Sequence, residues 1–281
     1  MLHRLIKQVL GRQRPQQERP RLSFITCSPD DARYAGLQSS IAGRVTGFSY
    51  ELIRITNARS LSEGYNRGMD RSRGDILIFC HDDIEFLHSD FAQRLVAQLE
   101  EHDIVGVAGT SLLVDGYWGS AGQPHLYGQV LQQNQDRRGY TLYMFDHHDR
   151  PIPSIQGLDG LFIAARRQTA LQLRFDEERF DGFHLYDADF SFRAHLAGMK
   201  VGVCRDILIF HNSHGDKDES WKRYMAVFAD KFREVLPRQT APGELYALIV
   251  TLNDKAGALP SFLEIRGNPA KYMEWTGVTL V

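Results

Sequence analysis

The stretch Asp75-Ile-Leu-Ile-Phe-Cys-His-Asp-Asp83 ends an apolar, β-rich run abruptly in two adjacent carboxylates. That pattern predicts a buried parallel strand delivering acidic side chains to its carboxyl end, the edge where ligands bind in open α/β sheets. Neighbouring carboxylates repel each other, and a hard divalent cation relieves the repulsion. A cation held by only one or two carboxylates shares its remaining positions with substrate phosphates. Asp82 and Asp83 therefore point to a metal-phosphate site; the plainer alternative is a strand followed by a polar turn that they cap. A second cluster, Phe180-Asp-Gly-Phe-His-Leu-Tyr-Asp-Ala-Asp-Phe-Ser-Phe-Arg-Ala194, predicts a loop entering a helix near Asp187, where the helix macrodipole favours an anion. A third, Ile207-Leu-Ile-Phe-His-Asn-Ser-His-Gly215, again ends an apolar strand in groups able to bind a cation, His211 and His214. An isolated histidine there is usually a hydrogen-bonded loop residue, and at least one of the two is expected to be that.

The elements that must position these groups alternate from Leu22 onward. Leu22 to Cys27 is expected as a strand, Tyr34 to Ala42 as a helix, and Tyr50 to Ile55 as a second strand. Ser60-Leu-Ser-Glu63 forms a capping box for a helix that Gly74 closes, which makes Asp75 to Cys80 a third strand. Ser89 caps a helix to about His102, and Ile104 to Ala108 is a fourth strand. The βαβαβαβ order predicts an α/β fold with a doubly wound, mostly parallel sheet, right-handed crossovers and flanking helices. Residues 109–153, rich in glycine and aromatic residues, predict loops and a hairpin laid over that sheet, and Leu161 to Ala165 a further buried strand. From Asp216 to Leu236 an amphipathic helix carries Trp221, Tyr224, Phe228 and Phe232 on roughly one side, a core-facing stripe. The expected organisation is a basic, helical or disordered segment over residues 1–21, a catalytic domain over 22–236, and an extension packed on it over 237–281.

Composition narrows the function classes. With 281 residues and 43% hydrophobic content the chain can bury a full core, and a net charge of −2 gives no general attraction to nucleic acid. Its three cysteines, Cys27, Cys80 and Cys204, lie in or beside apolar runs without CxxC spacing, as buried reduced thiols would, and zinc or disulfide chemistry is not expected. No stretch is apolar enough to cross a bilayer and no secretory signal opens the chain, so a cytoplasmic location is expected. At the N-terminus Leu2, Leu5, Ile6, Val9 and Leu10 share one helical face beside Arg4 and Lys7, a pattern that fits weak peripheral contact with the inner face of a membrane. A packed or frayed terminal helix fits it equally well.

Taken in order, Asn57 with Ser60-Leu-Ser-Glu-Gly-Tyr-Asn-Arg-Gly68, Gly74-Asp-Ile-Leu-Ile-Phe-Cys-His-Asp-Asp83, Leu158-Asp-Gly160, Tyr186-Asp-Ala-Asp-Phe190 and His211 resemble family-2 glycosyltransferases of the GT-A fold, in their bacterial polysaccharide-type branch. The resemblance covers roughly Leu22 to Phe232. It implies a nucleoside-diphosphate-sugar donor, UDP-linked above all, a Mn2+ or Mg2+ cofactor, a glycan or lipid-linked acceptor, and transfer with inversion at the anomeric centre. His81-Asp82-Asp83 stands where the family carries Asp-x-Asp, so Asp83 is the implied metal ligand and Asp82 the implied contact to ribose or a metal-bound water; His81 departs from the pattern. Tyr186-Asp187 occupies the place of a Glu-Asp dipeptide, which makes Asp187 the implied general base. His211, with His214 in reserve, is implied to complete the metal site. Thr26, Ser28, Asp30, Asn57 and Asn66 fall on the donor side, and Asp159, Gly160, Tyr186 and Asp189 on the acceptor side.

The residue types suit that chemistry. An inverting transfer needs a carboxylate within about 3 Å of the acceptor hydroxyl to take its proton, while a cation neutralises the departing diphosphate. Two rivals remain at this level. A sugar nucleotidyltransferase wants a glycine-rich basic loop after its first strand, and Thr26-Cys-Ser-Pro-Asp-Asp-Ala-Arg33 is acidic and has no glycine. A non-catalytic nucleotide-sugar or glycan-binding module is encouraged by the departures at His81 and Tyr186.

Overall fold

The structure, a computed structural model, describes residues 19–146, 151–213, 215, 217–237 and 247–268. The amphipathic stripe expected at Met1 to Leu10 and the reserve ligand His214 lie outside the described residues. From Leu22 the chain runs β1 (Leu22–Cys27), α1 (Asp31–Arg44), β2 (Tyr50–Ile55), α2 (Leu61–Arg71), β3 (Ile76–Cys80), β4 (Ile84–Phe86), α3 (Phe91–Glu101), β5 (Ile104–Gly106) and β6 (Ala108–Thr110). It continues through β7 (Leu126–Gln133), β8 (Tyr140–Met144), β9 (Gly157–Leu158), β10 (Phe162–Arg166), α4 (Arg167–Leu173), α5 (Tyr186–Leu196), β11 (Val201–Val203), β12 (Ile209–His211), α6 (Glu219–Lys231), β13 (Leu248–Leu252) and α7 (Ala258–Gly267).

Local rules account for several boundaries. Ser60 Oγ accepts from the Glu63 backbone N–H, and the Glu63 carboxylate accepts from the Arg59 N–H, so donors at the start of α2 are satisfied from both directions. The helix before β5 begins at Phe91 rather than after a Ser89 cap. Asp90 holds the cap position without a capping bond, because its carboxylate accepts from Arg94 one turn on.

Six strands form the main sheet in the order β11-β5-β10-β3-β1-β2. β1 is parallel to both β2 and β3, whereas β10 enters antiparallel between β3 and β5. The sheet is therefore mixed where the βαβ rhythm alone predicted parallel neighbours, since an apolar run such as Leu161 to Ala165 carries no signal of direction. Both faces are buried. Ile76, Ile78 and Cys80 face one cluster with Phe24, Phe91 and Phe162, while Leu77 and Phe79 face the other with Tyr65, Phe175 and Phe190. A second sheet in the order β13-β8-β7-β12-β4 carries the expected hairpin, with residues from the C-terminal region as its edge strand. Phe262 of α7 closes its core against Leu131, Leu142 and Leu248.

Strand register brings the candidate residues together. Because β10 is antiparallel to β3, Phe162 pairs with Cys80 and the His81 N–H bonds the Leu161 carbonyl at 3.1 Å, which sets Asp159-Gly160 beside His81. β12 is antiparallel to β4 with His211 opposite Ile84, and the Asn212 N–H bonds the Asp83 carbonyl at 3.0 Å, which sets His211 beside Asp83.

Candidate active site

At the carboxyl edge of β3, ligand atoms of His81, Asp83 and His211 all lie within 4.8 Å of one another. His81 Nδ1 is 3.4 Å from His211 Nε2, and His211 Nε2 is 3.5 Å from Asp83 Oδ1. Two imidazole nitrogens and a carboxylate at such separations match neighbouring corners of one coordination shell, for which metal-ligand distances are roughly 2.0–2.5 Å. The set fits a divalent cation. His81, a departure from the sequence pattern, thus stands as a third potential ligand that sequence reasoning did not assign. Burial would raise the Asp83 carboxyl, but hydrogen bonding and charge from His211, with the Ser213 hydroxyl, outweigh it and hold Asp83 well below the usual carboxylate range. Burial and the neighbouring His211 push His81 down to about 4, so its imidazole is neutral at physiological pH and free to ligate.

The tautomer of His81 follows from its partners. Tyr186 has one hydroxyl proton, which it donates to the Gly160 carbonyl at 3.0 Å. Its oxygen, 2.9 Å from His81 Nε2, must then accept from an Nε2–H, which leaves the Nδ1 lone pair facing His211 and Asp83. Tyr186 is buried and its hydroxyl is engaged on both sides, an arrangement that would orient His81 toward a cation. Loss of such an orienting bond weakens metal affinity by roughly 10- to 100-fold. Tyr186→Phe is accordingly expected to weaken Mn2+ binding by about tenfold with little change in thermal stability, read by calorimetric titration; unchanged affinity would dismiss the orienting role.

Asp187 stands in the first turn of α5, two residues after Leu185, a non-glycine residue at φ 57° with no side-chain cap of its own. A left-handed residue costs about 1–2 kcal/mol and tends to mark functional sites. Burial raises the Asp187 carboxyl to about 7, the charge of Asp159 adds to the rise, and the backbone N–H groups of Ala188, Asp187 and Gly160 oppose it. Gly160 is required here: a Cβ would fall 2.3 Å from the Tyr186 hydroxyl and 2.8 Å from Asp187 Oδ2. Asp159 accepts from Trp118 Nε1 and from the Leu161 N–H, both bonds fixing its position. His81, Asp159, Gly160, Tyr186 and Asp187 line one cavity of about 170 Å³, with Tyr117, Trp118, Lys217 and Trp221 on its wall.

Other candidates are placed elsewhere. Asp82 is raised by burial, hydrogen-bonded by the Ser28 hydroxyl and 3.8 Å from Arg33, so it faces the end of β1 while Asp83 faces the histidines. Thr26 is fully buried within β1 with its hydroxyl unpartnered, and exposed Asp30 caps α1 by accepting through Oδ1 from the Ala32 and Arg33 N–H groups. Ser28 is buried as well, its hydroxyl beside two acceptors, the Asp30 carbonyl and the Asp82 carboxylate, that share its single proton. Asn66 both donates to and accepts from the Phe175 backbone inside the core, which removes it from the donor side. Asn57 is exposed, its side-chain oxygen accepting from Arg67, and is not among the residues lining that cavity. Asp189 is fully buried between Arg193 and Lys231, which removes it from the acceptor side. On α6 the stripe divides: Tyr224, Phe228 and Phe232 enter the core, whereas Trp221 reaches the cavity.

Residues 23–232 match the family described as glycosyltransferase like. This chain belongs to that family. It is 24% identical over 217 residues to the protein called ATP synthase subunits region ORF 6 of Fuscovulum blasticum, covering 75% of each chain. Among solved structures it resembles GalNAc-T7 with UDP, GalNAc and Mn2+, at a TM-score of 0.50 and 12% identity, over 90% of this chain and 55% of that one. The mannosyltransferase PcManGT from Pyrobaculum calidifontis, in complex with GDP-Man and Mn2+, gives 0.49 at 12% identity over 80% and 67% of the two chains. The fold of this glycosyltransferase-like chain is the GT-A fold, with its mixed α/β sheet and, among the described residues, seven helices. No helix among the described residues is long and apolar enough to cross a membrane.

Proposed function

We propose that this protein is a metal-dependent, inverting glycosyltransferase that moves a sugar from a nucleoside-diphosphate donor, UDP-linked in the first instance, to a hydroxyl of a glycan or lipid-linked acceptor in surface polysaccharide or glycoconjugate synthesis. One observation carries the reading: a carboxyl raised to about 7 at a helix start shares a cavity with a histidine of the cation-binding triad. A group with that affinity for protons suits general-base work near neutrality, and a purely binding module has no need of it. GalNAc-T7, of the same fold, holds UDP and Mn2+, which favours the same donor chemistry here.

Asp187 takes the proton from the acceptor hydroxyl as the hydroxyl attacks the anomeric carbon. His81, Asp83 and His211 would hold Mn2+ or Mg2+, which supplies a Lewis acid for the leaving diphosphate. Asp82, turned toward the end of β1, would meet the ribose. Inversion is favoured because Asp159, the other carboxylate in the cavity wall, is tied to Trp118 and the Leu161 N–H and is poorly disposed to act as a nucleophile.

The test is a thermal-shift titration with UDP and GDP, each with and without Mn2+, because a ligand that binds only the folded state raises the melting temperature. A metal-dependent rise is expected for wild type and is expected to vanish in Asp83→Ala. A full metal-dependent rise in Asp83→Ala would overturn the assignment of the cation site.

A further inference from the structure

Resting on the proposed transfer, one wall of the cavity points to a substrate class. Tyr117 and Trp221 meet edge to face with ring centroids 6.3 Å apart, Trp118 packs 6.0 Å from Tyr117, and Phe183 stands 55% exposed at the rim. Aromatic faces bordered by polar groups suit the C–H face of a pyranose, which buries apolar surface while its hydroxyls stay hydrogen-bonded. The wall also carries a cation. Lys217 Nζ lies 4.0 Å from the Tyr117 ring centroid and 5.7 Å from that of Trp221. Among the described residues its ammonium makes no ion pair, whereas Lys222, Lys231 and Lys255 are each joined to a carboxylate. The other ionisable groups lining the cavity are already committed: Asp159 to Trp118, His184 to Asp218 at 3.5 Å, His81 to Tyr186, and Asp187 to backbone N–H groups at the start of α5.

We propose that Tyr117, Trp221 and Lys217 form the acceptor subsite, and that it selects a sugar ring bearing an anionic substituent, a uronate or a sugar phosphate. The ammonium resting on the aromatic faces is worth about 0.5–1 kcal/mol at an exposed position, and a charge-assisted bond to a carboxylate or phosphate is stronger, so an anionic sugar displaces it from the rings without loss. A neutral sugar would offer that ammonium no charge-assisted bond. The cavity, at about 170 Å³, lies below the roughly 300–1,000 Å³ of sites for drug-sized ligands, and it suits one ring of an acceptor better than a length of chain.

The full-length protein, saturated with Mn2+ and UDP at low salt, is titrated with methyl β-glucuronide, glucose 6-phosphate and methyl β-glucoside, and binding is read by calorimetry and tryptophan fluorescence. At least one anionic sugar is expected to bind about tenfold tighter than the neutral one, and which of the two does so separates carboxylate from phosphate recognition. The gap is expected to narrow with added salt, to fall within about twofold in Lys217→Gln and to persist in Lys217→Arg. Trp221→Ala is expected to weaken all three sugars. Equal affinities in wild type, or a gap that survives Lys217→Gln, would sink the proposal. So would a loss of UDP affinity in Lys217→Gln, which would place the ammonium on the donor diphosphate. The outcome is separable from that of the proposed reaction: a protein that binds no nucleotide but prefers anionic sugars through Lys217 keeps the subsite and loses the transfer, and the reverse result keeps the transfer alone.

Discussion

Asp187→Asn is expected to lower kcat by roughly 10²- to 10⁴-fold while leaving UDP and Mn2+ affinity within about twofold of wild type, the range that general-base catalysis supplies. The amide keeps the size of the carboxylate and can accept from the same Gly160 and Ala188 N–H groups, but it cannot take a proton from the acceptor. Two further readouts follow from the raised carboxyl, at about 7 against an ordinary 3.8. In wild type the base must be ionised, so kcat is expected to fall as pH drops below about 7, and Asp187→Asn loses that limb. Stability moves in the opposite sense. A carboxyl raised in the folded state favours folding below its unfolded value, and the advantage is lost as pH rises toward about 7, above which the ionised group strains the fold. Asp187→Asn without ligands is therefore expected to melt above wild type at pH 8, with a smaller difference at pH 5. Normal turnover in Asp187→Asn would remove the base assignment, and lost nucleotide affinity with normal turnover would make Asp187 a binding residue.

The cation site was partly legible in sequence for a physical reason. Apolar strands that stop abruptly in Asp83 and His211 announce their chemistry locally, because a carboxylate or imidazole at a strand end needs a partner wherever the strand sits. His81, an imidazole at the end of β3, reads in sequence only as a departure from the family's pattern. A ligand role for it would depend on a tautomer set by Tyr186, 105 residues away, whose proton is committed to Gly160. The same holds for the sheet: run length and capping placed β1, β2, α2 and β3, but the antiparallel entry of β10, which seats Asp159-Gly160 next to His81, is a matter of direction that hydrophobic pattern does not encode. On the donor side, Asp30 and Asn66 have types that suit either a ligand or a backbone, and in both residues the backbone has taken the side chain. Trp221 and Lys217 were obscured differently. One sits within a stripe otherwise given to the core, and the other owes its significance to Tyr117, a hundred residues earlier in the chain.

Asp189 offers the sharpest contrast, since a 3.6-residue repeat turns it away from Asp187, two positions earlier, but says nothing of what lies there. It is fully buried: one oxygen accepts from Arg193 Nε at 2.8 Å, and the other meets Lys231 of α6, which also reaches Asp176 at 2.6 Å. Arg193 in turn donates to the Leu173 and Arg174 carbonyls, so this one carboxylate joins α5, α6 and the end of α4. Removing one partner of a buried ion pair costs about 3–5 kcal/mol because a charge is left uncompensated. Lys231 keeps Asp176 and Arg193 retains some solvent, which argues for the lower end. Asp189→Ala is therefore expected to lose about 3 kcal/mol in denaturant unfolding, a fall in Tm of roughly 6–12 °C for a domain of this size. Below that Tm its folded fraction is expected to bind UDP and Mn2+ as wild type does, because Asp189 neither lines the cavity nor belongs to the His81, Asp83 and His211 cluster. An Asp189→Ala protein with native stability and impaired acceptor turnover would reverse this assignment and return the residue to the acceptor side.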